Sequence, residues 1–97
     1  MSTTSGMERV VRKRAEWMRP VDERIMETMR DEGNLTPYAL DETFDVAAAN
    51  YASNRLSKLA DYGLVERLGR GLYRLTEQGR AFLDEELDAS ELKRDGS

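Results

Sequence analysis

Residues 47–76 read AAANYASNRLSKLADYGLVERLGRGLYRLT, and their punctuation decides the fold. On a helical wheel over 45–63, Ala48, Ala49, Ala52, Leu56, Leu59, Ala60 and Gly63 gather on one side, the expected core face of a helix from about Ala47 to Tyr62. Gly63 closes it, because a residue without a Cβ accepts the left-handed conformation that ends helices. Two strand-like runs follow, 64–68 and 72–75, and Gly69-Arg70-Gly71 between them tolerates the positive φ of a tight hairpin. Thr76 can then cap a last helix reaching about Leu87.

Upstream, Thr36 followed by Pro37 reads as an N-cap and first helical residue of a short helix ending near Thr43, with a turn at Phe44 and Asp45. Before it, 21–32 forms a helix with Ile25 and Met29 on its buried stripe, Val21 one turn earlier and Gly33 as its stop. Met7, Val10, Val11, Trp17 and Met18 share one side of a further helix, 7–18, which Pro20 terminates. A short helix, a tight turn, a longer helix and an immediate hairpin make a helix-turn-helix with a wing. The expected fold is therefore mostly α with a small β-hairpin: a winged helix-turn-helix with an extra N-terminal and a C-terminal helix. Residues 1–6 read as a disordered tail, 7–88 as the single domain and 89–97 as a flexible acidic and polar tail.

Composition excludes much chemistry. With no Cys and no His, the chain lacks thiolate nucleophiles, imidazole bases and the ligands of nearly every zinc, copper or iron site. The carboxylates are scattered or in short runs such as Asp84-Glu85-Glu86, the pattern of solvated helix faces. Neither an enzyme nor a cofactor or metal protein is expected. No apolar run approaches the roughly 18 residues of a membrane span, and no signal peptide opens the chain, so the reading is soluble and cytoplasmic.

The net charge of −4 is unevenly placed: residues 1–19 carry +3, 20–45 carry −6, 46–75 carry +3 and 76–97 carry −4. The basic groups are 12 Arg to 3 Lys, and an acidic, Arg-rich, Lys-poor composition suggests a cytoplasm at high salt. An acidic body around a basic reading head fits a DNA binder.

The polar face of the 47–62 helix carries the candidate site. Asn50 and Asn54 stand one turn apart, and the Asn amide can bond N6 and N7 of adenine together, so they are the candidates for base readout. Tyr51 can meet a thymine methyl or a phosphate, while Arg55 and Lys58, displaced to one side, suit phosphate oxygens. On the hairpin, Arg67, Arg70 and Arg74 are the expected wing contacts, with Arg70 at the tip within reach of a minor groove.

The stretch from Trp17 to Leu87 resembles the winged-helix regulators of haloarchaea related to the phage phi-H repressor, and more distantly the MarR-type regulators. The likeness is carried by Trp17-Met18, Asp22-Glu23-Arg24-Ile25, Gly33-Asn34-Leu35-Thr36-Pro37, Asn50-Tyr51, Ser53-Asn54-Arg55-Leu56, Leu59, Gly63-Leu64-Val65, and Gly69 through Thr76. It implies sequence-specific binding of double-stranded DNA, here expected of a repressor. Two departures concern helix starts: Ala47 stands where a capping Ser or Thr is usual, leaving Asp45 or no cap, and Arg19 precedes Pro20. A competing use of the same fold is a winged-helix module that binds another protein. The apolar stripes of 7–18 and of Phe82, Leu83 and Leu87 are either packed internally or form a two-fold homodimer interface. Arg12-Lys13-Arg14 could instead touch phosphates. Membrane binding by so short and weakly apolar a helix is not expected.

Overall fold

A computed structural model describes residues 12–92. Its elements are α1 (Pro20–Glu32), α2 (Pro37–Glu42), α3 (Ala49–Asp61), strands β1 (Val65–Gly69) and β2 (Leu72–Leu75), α4 (Glu77–Leu83), and a closing 3₁₀ turn (Ala89–Glu91). This is the mostly helical winged helix-turn-helix expected, with α2 and α3 as the helix-turn-helix and β1–β2 as the wing.

Each helix start has a local cause. Thr36 Oγ1 accepts the Ala39 N–H at 3.0 Å, and Thr76 Oγ1 accepts the Gly79 N–H at 3.1 Å, so both hydroxyls satisfy a donor the helix leaves free. At α1, where Arg19 cannot serve as an acceptor, Asp22 reaches back instead and takes the Arg19 N–H at 2.9 Å. The N-cap of α3 is Ala48, so a capping side chain is missing there, and Asp41 Oδ2, from α2, accepts the Ala49 N–H at 2.9 Å in its place. That bond crosses the turn of the helix-turn-helix and ties one helix to the start of the next. Asp45 takes φ 52° in this turn, a left-handed conformation that Asp tolerates better than most residues.

The core lies where the helices meet the base of the hairpin. Ile25, Met26 and Met29 of α1 join Leu40 of α2, Ala52, Leu56 and Leu59 of α3, Val65, Tyr73 and Leu75 of the wing, and Phe82 and Leu83 of α4. β1 and β2 pair antiparallel, Val65 opposite Leu75, Glu66 opposite Arg74 and Arg67 opposite Tyr73. The link after α1 adds a bridge to this ribbon: Leu35 and Tyr73 exchange N–H···O bonds of 3.1 and 2.9 Å. Gly79 lets α4 lie close to the hairpin base, since a Cβ there would stand 2.3 Å from the Leu64 carbonyl oxygen.

Several expectations need correction. The N-terminal helix expected over 7–18 is absent from its described part. Residues 1–11, the expected tail and the start of that helix, lie outside the described residues. From Arg12 the chain is not helical, and Lys13 bridges to Asp88 in parallel, with the Ala89 N–H bonded to the Lys13 carbonyl at 2.9 Å. Arg12 and Arg14 are held by carboxylates: Arg12 donates to Glu23 and Glu27 and to the Leu83 carbonyl, and Arg14 pairs with Glu23 at 2.6 Å. Burial disfavours the Arg12 charge, yet its bonds to Glu27 and Glu23 outweigh this and raise its pKa further. Helix α4 stops at Leu83 rather than near Leu87. Ala48, counted on the core face, is exposed because the helix begins one residue later. Packing also continues past residue 88, for Ala89 is fully buried and Leu92 packs on the core, while 93–97 lie outside the described residues.

Candidate nucleic-acid interface

Helix α3 presents the polar face that its sequence spacing demands. Ala52, Leu56 and Leu59 point into the core, while Asn50, Tyr51 and Asn54 are exposed and Ser57 and Lys58 are half-buried. Among the described residues, the side chains of Asn50, Asn54 and Lys58 bond to no protein group. Their donors and acceptors are therefore available to a ligand.

Arg55 sits differently. Its Nε donates to Asp22 Oδ1 at 2.8 Å and its Nη2 to Asp22 Oδ2 at 2.6 Å, and Nη2 also reaches the Trp17 carbonyl at 3.0 Å. Asp22 is 0% exposed. The fork-on-carboxylate geometry satisfies both oxygens of a charge that could not otherwise be left out of water. The Asp22 hydrogen bond outweighs burial and raises the Arg55 pKa, so the guanidinium stays charged. The pair fixes α3 against the start of α1. A second clasp joins them, for Trp17, just before α1, stacks on Tyr62 at the end of α3 with ring centroids 4.3 Å apart.

The three wing arginines do not share a face. Arg67 lies on the inner side of the hairpin with Val65, Tyr73 and Leu75, since directly opposed residues and alternate positions share a face. Its Nη2 donates to Ser57 Oγ of α3 at 3.1 Å and to Tyr73 Oη at 2.7 Å, and its guanidinium carbon is 5.3 Å from the Tyr73 ring centroid. Arg67 thus bridges the wing and α3. Arg74 is on the opposite side, paired with Glu66. Arg70 alone stands at the tip, exposed, with φ 54° and no protein partner among the described residues.

Two features escaped the sequence reading. Tyr38, at the start of α2, is 69% exposed, and Leu68, on β1, is 44% exposed; with Tyr51 at 45% these are the exposed large apolar side chains of the described surface. All three stand on α2, α3 or the wing. A large side chain one residue after Thr36-Pro37, at a helix start where burial is poor, was the signal for Tyr38.

Among the described residues no cluster of acidic side chains could hold a metal ion, and no helix is long and apolar enough to cross a membrane. Comparison with known proteins agrees with the geometry. No curated protein matches the chain. A family model described as the winged helix-turn-helix phage repressor matches residues 11–95. Among solved structures, the crystal structure of the PhiH1 repressor-like protein from Haloarcula marismortui is similar, with a TM-score of 0.81 and 36% sequence identity over 88% of this chain and 98% of that one. Fold, exposed helix face and family match coincide, and the chain belongs to the winged helix-turn-helix phage repressor family.

Proposed function

We propose that this protein is a cytoplasmic transcriptional repressor that binds a specific sequence of double-stranded DNA. The observation that carries the reading is the exposed, unpartnered amide pair Asn50 and Asn54 on α3, between a buried apolar stripe and a wing tip bearing a free Arg70. A protein-docking face would show exposed Leu, Phe or Met, and on α3 the large exposed side chain is Tyr51. The family and its repressor-like relative support the same reading.

In this reading α3 enters the major groove with Asn50, Tyr51 and Asn54 toward the base edges. Lys58, Arg67 and Arg70 supply phosphate or minor-groove contacts, Arg67 also holding the wing to α3 through Ser57. Arg55 acts through the placement of α3, its fork being held by Asp22. Two copies sit on one near-palindromic operator with their reading heads about 34 to 36 Å apart. The stripes first considered for a dimer contact are largely spent at home, as Met18, Phe82 and Leu83 are buried in the protein's own core.

Selection of duplexes from a randomised library by the purified chain tests the proposal. Enrichment of one near-palindromic motif is expected, and sedimentation should find two proteins per duplex. Recovery of unrelated sequences would overturn specific reading, and one protein per duplex would overturn the dimer.

Arg74 carries a prediction of its own. Its partner Glu66 is an internal counterion, so Arg74 releases none from DNA. Glu66→Gln should leave stability nearly unchanged, because exposed pairs contribute about 0 to 1 kcal/mol. It should also steepen the slope of log K against log salt by about 0.9 per protomer. An unchanged slope, read from fluorescence anisotropy between low and high KCl, would place Arg74 away from the duplex.

A further inference from the structure

Leu68, near the end of β1, is a wholly apolar side chain that stays 44% exposed. It stands where the register of the hairpin slips: Arg67 faces Tyr73 and Gly69 faces Leu72, so no residue of β2 opposes Leu68. Such a bulge leaves its extra residue unpaired and re-aims it. Immediately beyond, Gly69, Arg70 and Gly71 all take positive φ, at 119°, 54° and 78°. A Cβ built on either glycine would meet nothing within 4 Å. The tip is held clear of the body, carrying an arginine with no hydrogen-bond or ion-pair partner among the described residues, next to a leucine that is 44% exposed.

We propose that Leu68 enters the minor groove beside the Arg70 contact and with it selects A·T pairs flanking the sequence read by α3. The proposal rests on the DNA-binding reading above and extends it to a second specificity determinant. An A·T-rich minor groove is narrow and strongly negative, which draws in a guanidinium. Its floor lacks the guanine 2-amino group that would obstruct a close apolar contact. Apolar side chains in minor grooves pack on the sugar walls or wedge at a base step, and Leu68 lies two residues from Arg70 to do so. The two side chains divide the work, since the cationic contact weakens with salt and the apolar one does not. Arg67 and Arg74, already bonded to Tyr73 and Glu66, cannot substitute for Arg70 at the tip.

The test uses the full chain and a duplex recovered by the library selection. Its flanking A·T pairs are replaced by G·C, and separately by inosine·C, which shows an A·T-like minor groove and a G·C-like major groove. Wild type should bind the G·C-flanked duplex about 5- to 10-fold more weakly and recover on the inosine duplex. Leu68→Ala should lose about 5-fold or more on the A·T-flanked duplex at every salt concentration, with the salt slope unchanged, while Leu68→Met keeps wild-type affinity. Arg70→Ala should lose the flank preference and flatten the slope by about 0.9 per protomer. Equal wild-type affinity for all three flanks would overturn the proposal. So would wild-type affinity in Leu68→Ala, or a lowered sedimentation mass of that variant free in solution, which would assign Leu68 to self-association. Failure to enrich any motif in the selection is a different result, and falls on the reading of α3 itself.

Discussion

Arg55→Ala is expected to lower the free energy of unfolding by about 3 to 5 kcal/mol, the cost of removing one partner from a buried ion pair. A domain of this size has roughly 5 to 15 kcal/mol in all, so the variant should be partly unfolded on mild warming. The size of the effect comes from what is left behind. Asp22 has no exposed surface, and without Arg55 its carboxylate keeps only the Arg19 N–H, while the Trp17 carbonyl loses a donor as well. The reverse truncation should cost less. In Asp22→Ala the long Arg55 side chain, already 14% exposed, can turn its guanidinium to water. Arg55→Lys keeps the charge but loses the fork, and should fall between wild type and Arg55→Ala. Urea unfolding followed by the fluorescence of Trp17, the single tryptophan, measures all three. A loss below about 1 kcal/mol in Arg55→Ala would show that the pair is not what holds α3 to α1.

That pair also marks the boundary of what the sequence made legible. From Thr36 to Thr76 nearly every element announces itself locally: Thr-Pro at a helix start, Gly63 at a helix end, Gly-Arg-Gly in a hairpin, and a 3.6-residue period between. These signals act over a few residues, and the structure reproduces them. Asn50 and Asn54 were placed on the exposed face for the same reason, because the wheel needs only the identity of the opposite face.

The misreadings arise where distant parts of the chain decide. The apolar spacing of 7–18 suits a helix, but the described part is drawn out by pairing of Lys13 with Asp88 and by Arg12 against Glu23, Glu27 and Leu83. No local pattern shows a partner that many residues away. The pairing of Arg55 is just as non-local, with its carboxylate 33 residues upstream. A clue did exist in α1. The buried positions are 22, 25, 26 and 29, a regular stripe, and the first is an aspartate. An acid on an apolar stripe needs a cation from elsewhere, and Arg55, at the edge of the apolar face of α3, was available to supply it.

On DNA, replacing Asn50 and Asn54 together with Ala should cost about 2 to 6 kcal/mol per protomer on the selected duplex, roughly 30-fold to 10⁴-fold per protomer, and almost nothing on random DNA. One turn of helix separates them, about 6 Å along the axis, against a rise of roughly 3.4 Å per base pair. Their amides therefore address bases about two pairs apart, each contact contributing about 1 to 3 kcal/mol. Neither side chain is charged, so the salt slope should stay that of the wild type, unlike the Arg70→Ala and Glu66→Gln variants. Both residues are exposed, and Ala favours a helix interior over Asn, so the melting temperature should not fall. Weakened binding then cannot be laid to unfolding. Anisotropy titrations of the selected duplex and a scrambled one of equal length decide the matter. Equal losses on both would mean that α3 holds the backbone without reading the bases, and the specificity would have to lie in the wing.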